Sequence, residues 1–172
     1  MMQFLASLEN SGFGAWVRES SSLWAYPTIL FMHTVGLGFL VGLNVAIDLR
    51  ILGFADTLPL APFERFYRIM WIAFWINTLS GTALLVADAT TKLTNSVFYI
   101  KMACIFFAVI SMVLIRRRVF RDAAVARGAL AAPARALAVA SLVLWAGAIT
   151  AGRLMAYFGP VSGAPGLQNR LP

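Results

Sequence analysis

The segment TILFMHTVGLGFLVGLNVAI, residues 28–47, decides the fold. It contains no Asp, Glu, Lys or Arg, and about 20 apolar residues in a helix are enough to cross the hydrocarbon core of a bilayer. Composition extends this prediction to the whole chain. Of its 172 residues, 60% are hydrophobic and 12% are charged, whereas about a quarter of the residues in a typical soluble domain are charged. The sequence therefore predicts an integral membrane protein.

Three more apolar segments follow the first. The chain is thus predicted to be all-α, a four-helix transmembrane bundle formed by a single domain, residues 1–160, with an irregular C-terminal tail at residues 161–172. At the end of the first span, Asp48 is expected to act as an interfacial cap, which in one alternative pairs with Arg65 or Arg68. The expected spans are residues 24–47, 69–87, 97–115 and 134–158.

Residues 3–20, ahead of the first span, place apolar side chains at roughly helical spacing among polar ones. The segment includes Glu9, Arg18 and Glu19 and is too polar to cross a bilayer. An amphipathic helix of this kind lies along the membrane interface, with its apolar face toward the acyl chains. We therefore expect an N-terminal interfacial amphipathic helix.

Basic residues are distributed unevenly between the two sides of the predicted bundle. The loops after the first and third spans hold nine Lys and Arg residues, and the other side holds five. Since cytoplasmic loops carry the excess of Lys and Arg, we expect both termini on the outer, periplasmic side of a bacterial inner membrane. This topology explains the net charge of +7, so no nucleic-acid partner is expected. The nine are Arg50, Arg65, Arg68, Arg116, Arg117, Arg118, Arg121, Arg127 and Arg135, and the five are Arg18, Lys92, Lys101, Arg153 and Arg170.

Polar side chains inside the apolar spans are the candidates for a functional site, because such groups are costly in lipid. On the predicted topology, His33, Asn77, Lys101 and Arg153 all lie toward the outer leaflet. His33 is the only histidine, and a neutral imidazole is the usual axial ligand of haem iron and a common ligand of copper. Gly36, three residues on, lies on the same face of the helix and would let a flat porphyrin approach the backbone.

Each of these residues also has a simpler interpretation. His33 and Asn77 are then hydrogen-bonding residues between helices, and Gly36 serves close helix packing. Lys101 and Arg153 are then interfacial side chains that bury their stems and extend their charges into water. In the functional interpretation, the two cations instead bind an anion such as a haem propionate, a quinone oxygen or a lipid phosphate.

A set of short motifs runs through the chain from Gly14 to Tyr157. The motifs are Trp24-Ala-Tyr-Pro, His33-x-x-Gly36-x-Gly38, Gly42, Asp48-Leu-Arg50-x-x-Gly53, Phe98-x-x-Lys101 and Ala151-Gly152-Arg153-x-x-Ala156-Tyr157. With them the chain resembles an uncharacterised bacterial four-helix membrane protein family. That family is distantly similar to copper-resistance protein D and to HemJ-type protoporphyrinogen oxidase membrane proteins.

The resemblance implies a cofactor and two functional positions. In the HemJ type, a histidine in the first span is associated with b-type haem, and a lysine early in a later span is also important. His33 and Lys101 occupy those positions here. Relatives in the closer family often have a histidine where the third span meets the basic loop, and this chain has Arg116 there.

Two hypotheses follow. In the first, the chain binds haem b through His33 and takes part in electron transfer or in redox chemistry linked to a porphyrin or quinone, with a periplasmic redox partner. The second axial ligand is left open. In the alternative, the chain is a non-catalytic accessory subunit of a larger membrane complex, or a copper-handling component.

Copper export is disfavoured because a soft-metal path uses paired Cys or Met ligands, and Cys104 is the only cysteine. Soluble-enzyme motifs are absent from the sequence, and whether the chain is an enzyme stays open.

Overall fold

The computed structural model describes residues 2–120, 132–155 and 157. In these ranges the chain is helical and contains no strand, and four of its helices are long and apolar enough to cross a membrane. The prediction of an all-α four-helix membrane bundle is confirmed. The predicted tail at residues 161–172 lies outside the described residues. The α-helices are α1 Met2–Glu9, α2 Gly12–Glu19, α3 Tyr26–Leu52, α4 Phe66–Val86, α5 Ala89–Thr94, α6 Ser96–Ile115 and α7 Ala132–Leu154.

Three of the four long helices match the predicted spans closely. The helices α4 and α6 begin within three residues of the predicted starts, and α7 begins two residues early. The predicted end of the fourth span, residue 158, lies outside the described residues. A 3-10 helix, Ala61–Arg65, leads directly into α4, and a π-helical turn, Arg116–Phe120, continues α6.

The first long helix, α3, continues five residues beyond the predicted end at residue 47. It stops at Gly53, whose φ of +103° is a left-handed conformation that glycine adopts readily. Asp48 is therefore inside the helix, and its interpretation as an interfacial cap is wrong. The alternative also fails, because the ion pairs found among the described residues include none between Asp48 and Arg65 or Arg68. The Asp48 side chain is fully buried and accepts a hydrogen bond of 2.6 Å from Asn44 Nδ2, one turn earlier.

The four long helices form two antiparallel hairpins, α3 with α4 and α6 with α7, and the hairpins meet where α3 packs against α7. The buried face of α7 consists mainly of alanines, whose small side chains let helix backbones approach closely. We name the two ends of the bundle. The histidine end holds His33 and the starts of α3 and α6, and the arginine end holds the turn Arg116–Phe120.

The N-terminal segment forms two short helices, where one helix over residues 3–20 was predicted. The break lies between Glu9 and Gly12, and Ser11 caps α2 by accepting a hydrogen bond of 3.2 Å from the Gly14 backbone N–H. The turn is tight, because a Cβ atom at Gly14 would lie 2.5 Å from the Glu9 carbonyl oxygen. The helix α1 packs against α5, and α2 packs against α4, so both helices lie across the histidine end.

A carboxylate ties α1 to α5. Glu9 Oε2 accepts hydrogen bonds from the Thr90 hydroxyl at 2.5 Å and from the Thr90 backbone N–H at 3.2 Å. Its other oxygen lies 3.0 Å from Arg18 Nη1. The hydrogen bond from the Thr90 side chain is the main cause that lowers the pKa of Glu9 below the ordinary value of a glutamate. The carboxylate form is therefore the one that docks α1 on the bundle.

The link between Glu9 and Thr90 predicts that the docking of the N-terminal helices on the bundle depends on pH. A lowered pKa in the folded state means that the docking energy is complete above the ordinary pKa of a glutamate and is lost as pH falls through the lowered value. We expect the amides of residues 2–19 to exchange hydrogen faster at acidic than at neutral pH, after correction for intrinsic exchange. Glu9→Gln should exchange equally fast at both pH values. Unchanged protection of the wild-type segment on acidification would contradict this link.

Candidate functional site

His33 is joined to α4 by reciprocal hydrogen bonds. Its Nδ1 atom lies 3.1 Å from the Asn77 carbonyl oxygen and 3.1 Å from the Ser80 hydroxyl oxygen. In the other direction, Asn77 Nδ2 donates to the His33 carbonyl at 2.7 Å. These bonds between α3 and α4 are those of the simpler interpretation of both residues, hydrogen bonding between helices. The two contacts of Nδ1 hold the half-buried imidazole in one orientation on the face of α4, and the bond from Asn77 fixes the His33 backbone beside it.

These bonds identify the ring nitrogen that carries the proton. The Asn77 carbonyl only accepts hydrogen bonds, so its contact with Nδ1 requires a hydrogen on Nδ1. The Ser80 hydroxyl directs its own proton to the Ile76 carbonyl at 2.6 Å, so its oxygen also faces Nδ1 as an acceptor. We therefore assign the proton to Nδ1. The neutral ring then keeps a lone pair on Nε2, the arrangement in which a backbone carbonyl orients a ligating histidine.

Two glycines fit His33 and its helix against α4. A Cβ atom at Gly81 would lie 3.0 Å from His33 Cε1, so a side chain there would push the ring by a few tenths of an ångström. A Cβ atom at Gly36 would lie 3.2 Å from the Ala73 carbonyl oxygen. Gly36 thus provides close packing of α3 on α4, the simpler of its two interpretations. At Gly38 and Gly42, by contrast, a Cβ atom would meet nothing within 4 Å.

Lys101 lies at the same end of the bundle, on α6. It is half-buried and close enough to His33 for the two side chains to interact electrostatically. Its Cε and Nζ atoms lie 3.7 Å from the position that a Cβ atom would take at Gly152. The ammonium group of Lys101 therefore packs beside α7 at Gly152, at ordinary van der Waals distance from an added Cβ atom. Of the ion pairs found among the described residues, none involves Lys101.

The neighbouring cations differ from Lys101. Lys92, on α5, donates to the Leu84 carbonyl at 2.6 Å and lies 3.7 Å from Asp88. Burial lowers the pKa of Lys92, and Asp88 opposes that shift. Arg153 is exposed at the end of α7, next to Gly152, and within the described ranges it forms no ion pair. Lys101 thus lies within electrostatic range of His33, and Arg153 lies at the rim, with no ion pair to a described residue.

A second polar cluster, not predicted from the sequence, lies inside the bundle toward the arginine end. Asn44, Asp48 and Ser141 are 2%, 0% and 0% exposed. Asn44 Nδ2 donates to Asp48 Oδ2 at 2.6 Å and lies 2.7 Å from the Ser141 hydroxyl oxygen. Asp48 Oδ1 has no hydrogen-bond partner in the described part of the chain. This cluster joins α3 to α7, and so one hairpin to the other.

The donor set at the histidine end suits some ligands better than others. Across the described residues, no group of three or more His, Cys, Asp or Glu side chains converges, and the histidine end offers one imidazole there. One imidazole with an available Nε2 suits a haem iron, whose four other ligands come from the porphyrin. In the comparisons with known proteins, no family model, no curated protein and no solved structure matches this chain.

Proposed function

We propose that this chain is a b-type haem-binding protein of the bacterial inner membrane, with both termini and the histidine end on the periplasmic side. The observation that carries the proposal is the imidazole of His33. Two acceptors on α4 fix its proton on Nδ1, which leaves the Nε2 lone pair available as an axial ligand. The residues that would hold the group are His33 and Lys101.

The electrostatics of the histidine end support this proposal. Haem b carries two propionates, and a half-buried cation is a suitable partner for a carboxylate. Lys101 is such a cation, with no carboxylate partner among the described residues. Arg153, at the rim beside Gly152, is placed to attract a second carboxylate at the membrane surface. The resemblance to the HemJ type, carried by the same histidine and lysine, points in the same direction.

The chain's own residues orient the ligand and limit its motion. When bound, haem supplies one-electron oxidation and reduction. Ser80 and Asn77 hold the imidazole plane against α4, and their acceptor oxygens make Nε2 a stronger donor to a metal. The chain has no second histidine, so a second axial ligand would come from another side-chain type or from a partner. The proposed exchange partners are membrane quinone and a periplasmic redox protein.

An absorption spectrum tests the proposal. Protein purified in mild detergent from haem-replete cells should show a Soret band that shifts on reduction with dithionite. His33→Ala should abolish the band, because it removes the Nε2 donor. Ser80→Ala should keep the haem and shift its reduction potential, since it removes one of the acceptors facing Nδ1. Ser111→Ala is the matched control, because among the described residues this buried hydroxyl bonds within its own helix, to the Phe107 carbonyl. A colourless wild-type protein, or an unaltered band in His33→Ala, would refute the proposal.

A second candidate function has an observation of its own. Gly38 and Gly42 lie four residues apart on an exposed face of α3, where a Cβ atom would meet nothing within 4 Å. Such a surface lets another transmembrane helix approach closely, as expected of an accessory subunit in a larger complex. Co-purification of a membrane partner that is lost in Gly38→Leu, from a protein without a chromophore, would favour this function over haem binding.

A further inference from the structure

A basic groove opens on α4 at the arginine end of the bundle. It has a volume of about 800 Å³. A smaller cavity of about 150 Å³ shares Trp71 and Arg116 with it and continues between α4 and α6. The residues that line the larger part are Glu64, Arg65, Arg68, Trp71, Ile72, Trp75 and Arg116. The groove therefore has a charged part and an apolar part.

The charged part carries more positive than negative charge. Arg65 and Arg68 are exposed and form no ion pair within the described ranges. Arg116 lies 4.0 Å from Glu64 and places its guanidinium 5.4 Å from the centre of the Tyr67 ring. Its Nε atom is buried and has no hydrogen-bond partner among the described residues. Three guanidinium groups thus face one carboxylate, and they retain unused donors for an anion.

The apolar part continues from the arginines along α4. Trp71, Ile72 and Trp75 follow Arg68 on the side of the helix that lines the groove. Ile72 is 55% and Trp75 is 57% exposed. From Arg68 to Trp75 the chain advances seven residues, about 10 Å along the helix axis. An apolar wall therefore begins beside the cationic group and runs from the interface toward the middle of the membrane.

We propose that this groove binds an anionic phospholipid, with the phosphate between the arginines and an acyl chain along the tryptophan wall. Basic pockets between transmembrane helices suit anionic lipid headgroups, and arginine binds phosphate through two parallel hydrogen bonds. A free phosphate ion would use only the charged part of the groove. A zwitterionic lipid would fill the apolar part without compensating the excess positive charge. The site is independent of haem binding, since it lies at the opposite end of the bundle.

Tryptophan quenching tests this site in the full-length protein. Lipids with brominated acyl chains quench only the tryptophans that they touch, and Trp71 and Trp75 line the groove. We would reconstitute the protein in phosphatidylcholine vesicles and replace a fixed fraction by brominated phosphatidylglycerol or brominated phosphatidylcholine. The wild type should prefer phosphatidylglycerol on the order of tenfold, given the arginine excess. The preference should vanish in the double variant Trp71→Phe/Trp75→Phe, which keeps the arginines and loses the reporters.

Charge variants distinguish binding in this groove from a general attraction of anionic lipids to the basic surface of the protein. Arg68→Gln should lower the preference about fivefold, and Glu64→Gln should raise it by a similar factor. Arg135→Gln is the matched control, because Arg135 is exposed on α7 near the same end and does not line the groove. Added inorganic phosphate should leave the preference unchanged. Equal quenching by the two lipids in the wild type, an equal loss in Arg135→Gln, or displacement by phosphate would overturn the proposal.

Discussion

Replacement of Asn44 by leucine is expected to lower the free energy of unfolding by about 3 kcal/mol. Asn44 Nδ2 is the donor to Asp48 Oδ2 at 2.6 Å and lies 2.7 Å from the Ser141 hydroxyl oxygen. Leucine has a similar volume but no polar atom, so the substitution leaves the carboxyl group buried without its partner. Removal of one member of a buried polar pair costs more than removal of both.

A double variant tests this reasoning. Asn44→Leu/Asp48→Leu should recover most of the lost stability, because no buried carboxyl group remains. Asp48→Asn should be mild, since its amide oxygen still accepts from Asn44. Stability would be measured by titrating the protein from mild into denaturing detergent and following helix content by circular dichroism. Ser111→Ala is the control, because the Ser111 hydroxyl bonds within its own helix. A double variant less stable than Asn44→Leu would contradict the proposed role of the cluster.

Replacement of Gly36 by leucine is expected to cost about 3 kcal/mol and to separate α3 from α4. A Cβ atom at this position lies 3.2 Å from the Ala73 carbonyl oxygen and 3.3 Å from the Asn77 backbone nitrogen. These are backbone atoms, which cannot move aside as a flexible side chain can. The helices must therefore shift apart, and the bonds of His33 to Asn77 and Ser80 lengthen with them.

Gly38 supplies the matched control for this prediction. It is in the same helix, but a Cβ atom there meets nothing within 4 Å. Gly38→Leu should not lower the detergent unfolding midpoint, because the added side chain meets no neighbour. Leucine also favours the helix more than glycine does, so a small rise is the largest change expected. In the haem spectrum, Gly36→Leu should weaken the Soret band and Gly38→Leu should not. If the two variants unfold alike, the packing assigned to Gly36 is refuted.

The four long helices were predictable because the bilayer sets their length. A span must satisfy its backbone within the helix and cover about 30 Å of hydrocarbon, and the apolar segments reflect both requirements. The end of α3 was not predictable from hydropathy, because a charge next to an apolar segment normally marks the interface. Asp48 is instead buried in the bundle and bonded to Asn44. The spacing of four residues between them was a signal for a shared helix face.

The candidate site was partly predictable. The sequence placed His33, Asn77, Lys101 and Arg153 toward one leaflet, and in the structure they lie toward one end of the bundle. Which nitrogen of His33 is bonded depends on the Asn77 carbonyl and the Ser80 hydroxyl, 44 and 47 residues away, and no sequence pattern gives the rotation of the ring toward them. Gly36 and Gly38 are two residues apart and point to opposite sides of a helix with 3.6 residues per turn. Only the rotation of α3 in the bundle distinguishes the packed glycine from the exposed one.

The contact between Asn44 and Ser141 also determines how far one hairpin can slide along the other. Lipid chains are as apolar as leucine, so hydrophobic burial gives two membrane hairpins little preference among axial offsets. Four of the six buried residues of α7 are alanines, and Ser141 is the polar one among the six. A slip of one helical turn would place Ala138 or Trp145 opposite Asn44 and break the bond. This pair therefore fixes the register of α3 against α7.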